Sequence, residues 1–429
     1  MKKELIKFGK RPFVRNVLTV ATGTAAAQAI ALILSPIITR LYGPESFGLL
    51  GAFTAIMGIV TPIAALTYPI AIVLPKSDRE AKGLVRLSLY ISVMITVLAS
   101  LVLICFNKQI VGLFQIDVIA PFLYLIPFVI LFYGFRQTIE QWFIRTKQFR
   151  ITAKVSFLQV LILNGSQVII GLFNPVAAVL IISTTLGHAL KALMLFIGAK
   201  KSNYKQMGES YEEKMTIIML AKKYKDFPKF RAPQVLVNAI TQSFPVLLLT
   251  SFFGPTAAGF YSISRTALSA PAVLIGQSVG DVFYPRISEA ANNGEELRPL
   301  IKKATLILAL IGIIPFGTVI ICGPWLFSFV FGADWKEAGE YARWIAIWTF
   351  FMFINQPSVR ALPLLSAQAF HLKFTVINLI IRASVLAAGY YFFNSDIISI
   401  ALFGITGAIL NIILVLITLH KSKNFDKSI

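Results

Sequence analysis

Acidic side chains are scarce in this chain. It has 19 aspartates and glutamates against 40 lysines and arginines, and charged residues reach only 14% of its 429 positions. A soluble domain carries about 25%. Histidine is rarer still. His188, His371 and His420 fall in or beside separate apolar runs, so they assemble no metal or catalytic cluster. The two cysteines, Cys105 and Cys322, each end an apolar run without metal-ligand spacing. They read as inert thiols. No long polar stretch is present either. The longest, Lys200 to Arg231, is too small for a catalytic domain. These absences predict no enzyme activity, no cofactor and no metal.

What the chain has in abundance is apolar length. Hydrophobic residues make up 57% of it, and several runs exceed the ~18 residues that span a bilayer. Twelve spans are predicted. The first six are Val17–Thr39, Phe47–Leu74, Leu84–Phe106, Val118–Ile139, Val155–Phe173 and Val176–Ala199. The second six are Val235–Phe253, Ala257–Val282, Ala304–Phe331, Ala342–Val359, Phe374–Phe393 and Ile397–Leu419. The first run is too long for a signal-peptide core and reads as an uncleaved helix.

The net charge of +21 follows the loops. Basic residues cluster in the N-terminal tail, around Lys76–Arg86, around Arg145–Lys154, through Lys200–Arg231, around Arg286–Lys303, at Lys373 and after Lys421. The opposite loops carry only Arg40, Lys108, Lys336 and Arg343. This is the positive-inside pattern. It excludes nucleic acid as the partner of the positive charge and predicts that both termini and the central loop are cytoplasmic. The predicted fold is an all-α polytopic membrane protein with two six-helix lobes. They are residues 1–199 and 232–429, joined by a basic cytoplasmic linker at 200–231.

One short sequence recurs. Gly43-Pro44, three residues, Gly48 lies between the first two spans, and Gly254-Pro255, three residues, Gly259 lies between the seventh and eighth. Proline ends one helix and suits the first turn of the next, and a glycine one turn later lets helices approach closely. With equal helix counts and the same starting side, the repeat is predicted to be parallel. Prolines inside other spans, Pro245 and Pro357 among them, read as bends, with hinges at a few.

Charges inside spans are costly and face a cavity or a partner. Arg136, Lys191, Arg265, Arg360 and Arg382 fall there. Arg360 is placed to snorkel, and Arg136 has Glu140 one turn away as an ion-pair partner. Arg265 and Arg382 have no carboxylate three or four residues away, so they are candidates for a polar cavity or for pairing with Asp281. Asp281, one turn after Gln277, is a candidate coupling site or an interfacial acid. Asn378 lies one turn before Arg382. Thr22 and Gln28 in the first span and Asn238 and Gln242 in the seventh are candidate polar lining. More cations than acids predicts an anionic ligand, and the arginine fork suits phosphate.

Leu34 through Gly48, with Arg40-Leu41-Tyr42-Gly43-Pro44-Glu45-Ser46-Phe47-Gly48 at its end, and Glu140-Gln141-Trp142-Phe143-Ile144-Arg145 resemble the polysaccharide flippases of the multidrug/oligosaccharidyl-lipid/polysaccharide exporter superfamily. The resemblance implies transport of an undecaprenyl-diphosphate-linked glycan to the outer leaflet for O-antigen, capsule or exopolysaccharide synthesis. It implies alternating access in a bacterial cytoplasmic membrane, and polysaccharide polymerase machinery as a partner. It places Arg265 where related lipid II flippases hold a diphosphate arginine. Those relatives add arginines in the first two helices, where this chain has only Arg40, and a helix pair after the twelfth, which is absent here. The alternatives are a cation-coupled multidrug antiporter of the same superfamily and a membrane polymerase or ligase.

Overall fold

The structure, a computed structural model, describes residues 12–114, 117–201, 216–365 and 367–427. The side chains of 12–22, 24, 113, 114, 201, 270–282, 285 and 292 lie outside that description. No strand occurs among the described residues. With no water in hydrocarbon to bond a free amide, a helix satisfies the backbone within itself.

Thirteen helices are present among the described residues. They are α1 (Pro12–Val60), α2 (Tyr68–Ala71), α3 (Asp78–Phe114), α4 (Ile126–Arg145), α5 (Phe149–Gly171), α6 (Ala177–Lys201), α7 (Ile217–Lys223), α8 (Ala232–Asn292), α9 (Leu297–Phe331), α10 (Lys336–Ile354), α11 (Gln356–Ala361), α12 (Gln368–Phe393) and α13 (Asp396–Asp426). Nine of the described stretches are long and apolar enough to cross a membrane. Twelve spans follow once α1 and α8 are each divided at their breaks and α10 is added. Lys336, Glu337, Glu340 and Arg343, all in its first half, lower the hydropathy of α10. The predicted span 342–359 is shifted: α10 ends at Ile354, and Pro357 sits in the first turn of the short α11.

The breaks in α1 and α8 are the two Gly-Pro corners. Gly43 has φ 70° and ψ 172°, and Gly254 has φ 83° and ψ 178°. That region is open almost only to glycine. Space is not the issue there, since a Cβ on either residue would meet nothing within 4 Å. Gly48 and Gly259 are glycines for the opposite reason. Both are helical, but a Cβ on Gly48 would collide with the Pro255 carbonyl, and one on Gly259 with the Pro44 carbonyl. The two corners therefore pack on each other reciprocally.

Two compact units are distinguished, Met1–Tyr42 with Leu49–Leu247, and Gly43–Gly48 with Leu248–Ile429. In the first, Tyr42 donates its hydroxyl to the Gln167 carbonyl at 2.7 Å and lies against Gly171 on α5. Arg145 closes the turn between α2 and α3. It bonds the Pro75 carbonyl at 2.7 Å, the Ile72 carbonyl at 3.2 Å and Asp78 at 2.8 Å. The short α7 is clasped to the same unit. Its Leu220 is buried and touches Gly83, Lys223 and Tyr224 both bond Glu80, and the Tyr68 hydroxyl donates to the Ala221 carbonyl at 3.1 Å. Burial and the bond to Glu80 push the Tyr224 phenol up to about 12. It stays a donor through neutral pH, and its contribution to the clasp is lost only as pH rises through that value.

In the second unit, Trp335 is buried edge-on against Phe47 and Phe260. Ser264 donates to the Ala338 carbonyl at 2.6 Å. Asp426 accepts from the amides of Leu297 and Arg298, at 2.8 and 3.0 Å, and so caps α9 from the far end of the chain.

Two outcomes follow. Gly43→Ala forces an L side chain into a disfavoured conformation, at roughly 1–3 kcal/mol, and should lower the unfolding midpoint of purified protein. Glu80→Ala should free α7 and speed trypsin cleavage after Lys222 and Lys223, measured by limited proteolysis.

Candidate cationic site

Arg382 lies on α12, and its guanidinium is held between two aromatic faces. The guanidinium carbon is 3.8 Å from the Trp348 ring centroid on α10 and 3.7 Å from that of Phe403 on α13. Gly407, one turn after Phe403, provides the room. A Cβ there would come within 2.8 Å of the Trp348 ring and 3.2 Å of Arg382 Nε. Arg382 Nε and Nη2 are shielded from solvent and have no hydrogen-bond partner, and the Tyr261 hydroxyl is in the same state. The Tyr261 ring is 6.3 Å from Phe403. Arg265, one turn further along α8, is half-buried and near enough to repel Arg382 electrostatically.

Stacking compensates part of the cost of burying a cation, about 0.5–2 kcal/mol per ring. It leaves the N–H edge unsatisfied. No carboxylate pairs with Arg382 among the described residues. Oxygens of an anion placed against that edge would complete it, with charge-assisted bonds. The sequence placed Arg382 in a span with no local acid, and the structure adds the cage. Trp348, Phe403, Gly407 and Tyr261 come from three other helices and have no local signature that identifies them.

A second cationic group lies in the first unit. Arg136 stacks on Tyr133, 4.3 Å from its centroid, and Tyr133 lies 6.1 Å from the His188 ring. The expected Arg136–Glu140 pair does not form. Glu140 bonds Lys191 across to α6 at 3.1 Å, while Arg136 reaches back along its helix to residue 133, the direction helical side chains favour. Arg136 Nε is left shielded and without a partner. Lys191 thus faces a carboxylate, and Arg136 faces an aromatic ring.

Gln28, Asn238 and Gln242 are exposed on spanning helices of the first unit, and Asn378 is half-buried one turn before Arg382. Thr22 and Asp281 lie outside the residues whose side chains are described. Arg360 is exposed at the end of α11. No group of three or more metal-ligating side chains occurs among the described residues.

A buried cation without an acid is a stability cost, so Arg382→Met should leave the unfolding free energy unchanged or raise it by roughly 1 kcal/mol. Thermal unfolding in detergent checks this, and a marked fall would make Arg382 a structural residue.

A sequence profile described as a polysaccharide biosynthesis protein matches residues 37–340. No curated protein matches the chain. Among solved structures, one titled as lipid II flippase MurJ in an inward closed conformation superposes with a TM-score of 0.70 at 14% identity. That match covers 94% of this chain and 87% of the other. A multidrug resistance MATE family transporter of the MOP superfamily superposes in its inward-facing conformation with a TM-score of 0.68 at 12% identity, over 93% and 96%. An outward-facing MATE structure gives 0.60 at 12% identity, over 96% of both chains. At these identities the likeness is one of fold.

Proposed function

Because this chain belongs to the polysaccharide biosynthesis protein family and has the fold of MOP-superfamily transporters, we propose that it flips undecaprenyl-diphosphate-linked oligosaccharide from the cytoplasmic to the outer leaflet. The protein sits in a bacterial cytoplasmic membrane with both termini inside, works by alternating access, and supplies a polysaccharide polymerase on the outer side. It is a transporter and not an enzyme.

The observation that supports this reading is Arg382, a guanidinium caged by Trp348 and Phe403 with Nε and Nη2 unpaired. A diphosphate supplies what that edge lacks, namely oxygens carrying negative charge. Arg265 adds a second positive charge close by. Arg136 and Lys191 are a further cationic group for acidic sugars. Gln28, Asn238, Gln242, Asn378 and Thr22 offer hydrogen bonds to sugar hydroxyls, and the prenyl tail stays in the bilayer. Asp281 remains the proposed coupling acid. The same pair of arginines disfavours a cationic drug as cargo.

The test is leaflet transfer in sealed vesicles. A polyprenyl-diphosphate oligosaccharide is loaded on the inner face, and its arrival outside is read with an impermeant glycosidase. Losing a charge-assisted contact costs about 1.5–3 kcal/mol, so Arg382→Gln should slow transfer by roughly ten- to a hundredfold. Arg265→Ala should slow it too. Transfer at the wild-type rate in both variants, with wild-type unfolding midpoints, would remove the arginines from the site. No transfer by the wild-type protein across a panel of glycans would count against the cargo.

A further inference from the structure

At the basic end of the first unit there is a cavity of about 380 Å³, walled by Val85 and Leu89 of α3, Phe135 and Trp142 of α4, and Phe196 of α6. It is the size of sites that hold small organic ligands. Its walls are hydrocarbon and aromatic. The one hydroxyl among them, that of Thr138, is tied back to the Gly134 carbonyl at 2.8 Å. Helix α4 packs against both α3 and α6, and the cavity lies where these three meet. Among the described lining residues the one cation is Lys200, exposed, with Nζ 4.8 Å from the Phe196 ring.

The walls continue upward. Val85 and Leu89 are followed at four-residue spacing by Val93 and Val97, which share their face of α3 and are 45% and 53% exposed. On α6, Phe196 is preceded by the exposed Leu193. Such apolar exposure on a spanning helix faces bilayer hydrocarbon. Cavity and exposed face together form an apolar groove, in which Lys200 is the one cation among the described lining residues.

We propose that this groove is a binding site for an anionic phospholipid of the leaflet at the basic end. One acyl chain lies along Val97, Val93, Leu89 and Val85 into the cavity, and the phosphodiester meets Lys200. Charge selects the occupant. A phosphodiester with an uncharged headgroup carries one negative charge against one lysine, whereas a zwitterionic headgroup brings its own cation to that lysine. The site is separate from the arginine cage and does not depend on the cargo assigned to it.

The test is native mass spectrometry of the full-length protein in neutral detergent, with added phosphatidylglycerol or phosphatidylcholine of identical acyl chains. A lysine at a membrane surface makes about a fivefold difference in binding. Phosphatidylglycerol should therefore be retained about fivefold better than phosphatidylcholine. Lys200→Glu should abolish that preference, and Leu89→Trp, which fills the cavity, should lower retention of both lipids. Val85→Phe serves the same purpose if Leu89→Trp lowers the unfolding midpoint. Retention that ignores both the charge and the filling substitutions would overturn the proposal. So would displacement of phosphatidylglycerol by an equal concentration of polyprenyl phosphate, since the groove would then belong to the carrier lipid.

Discussion

Two glycines with no room for a methyl group join the corners of this chain. Gly48 lies on the Pro255 carbonyl and Gly259 on the Pro44 carbonyl. Hydrocarbon offers helices no hydrophobic reason to associate, so close backbone approach is the available glue. Each corner needs a second glycine, Gly43 or Gly254, whose backbone conformation turns the chain without a loop. One short sequence thus carries two physical demands, a torsion and a contact. Because it occurs twice, each copy supplies the surface that the other needs.

The cationic site has the opposite economy. Two half-buried cations of the first unit have acids, Arg145 with Asp78 and Lys191 with Glu140. Arg382 has two aromatic faces and no acid. Aromatic stacking tolerates a cation without neutralising it. An acid in the same place would hold the arginine more firmly and would compete with any anion that arrived. The cage keeps the fork rigid and leaves its shielded edge without a partner.

The spans and the corner were legible in the sequence because length, charge asymmetry and a proline-glycine pair are local signals. The spacing of Gly43 and Gly48 pointed to a turn followed by a close approach, but it could not say that the approached surface was the other corner. Arg382 was legible as a charge out of place. Its cage was not, because Trp348 and Phe403 are ordinary membrane aromatics until three helices bring them together. The expected pairing of Arg136 with Glu140 failed for a related reason. Spacing permits an ion pair along one helix, but Lys191 on α6 competes for the same carboxylate and wins it. The end of α10 was misplaced because Pro357 starts a separate short helix rather than bending one long span.

The clasp that fastens α7 to Glu80 and Tyr68 bears on how the chain is strung. The polar stretch 200–231 reads in sequence as a linker between the halves, and its described part is fixed to the first unit. The chain passes from one unit to the other only at Tyr42–Gly43, Gly48–Leu49 and Leu247–Leu248. The last junction lies inside the continuous helix α8, two residues after Pro245, which has no amide hydrogen to give to its own helix. The junctions thus fall at glycines and beside a proline, within helices rather than in loops.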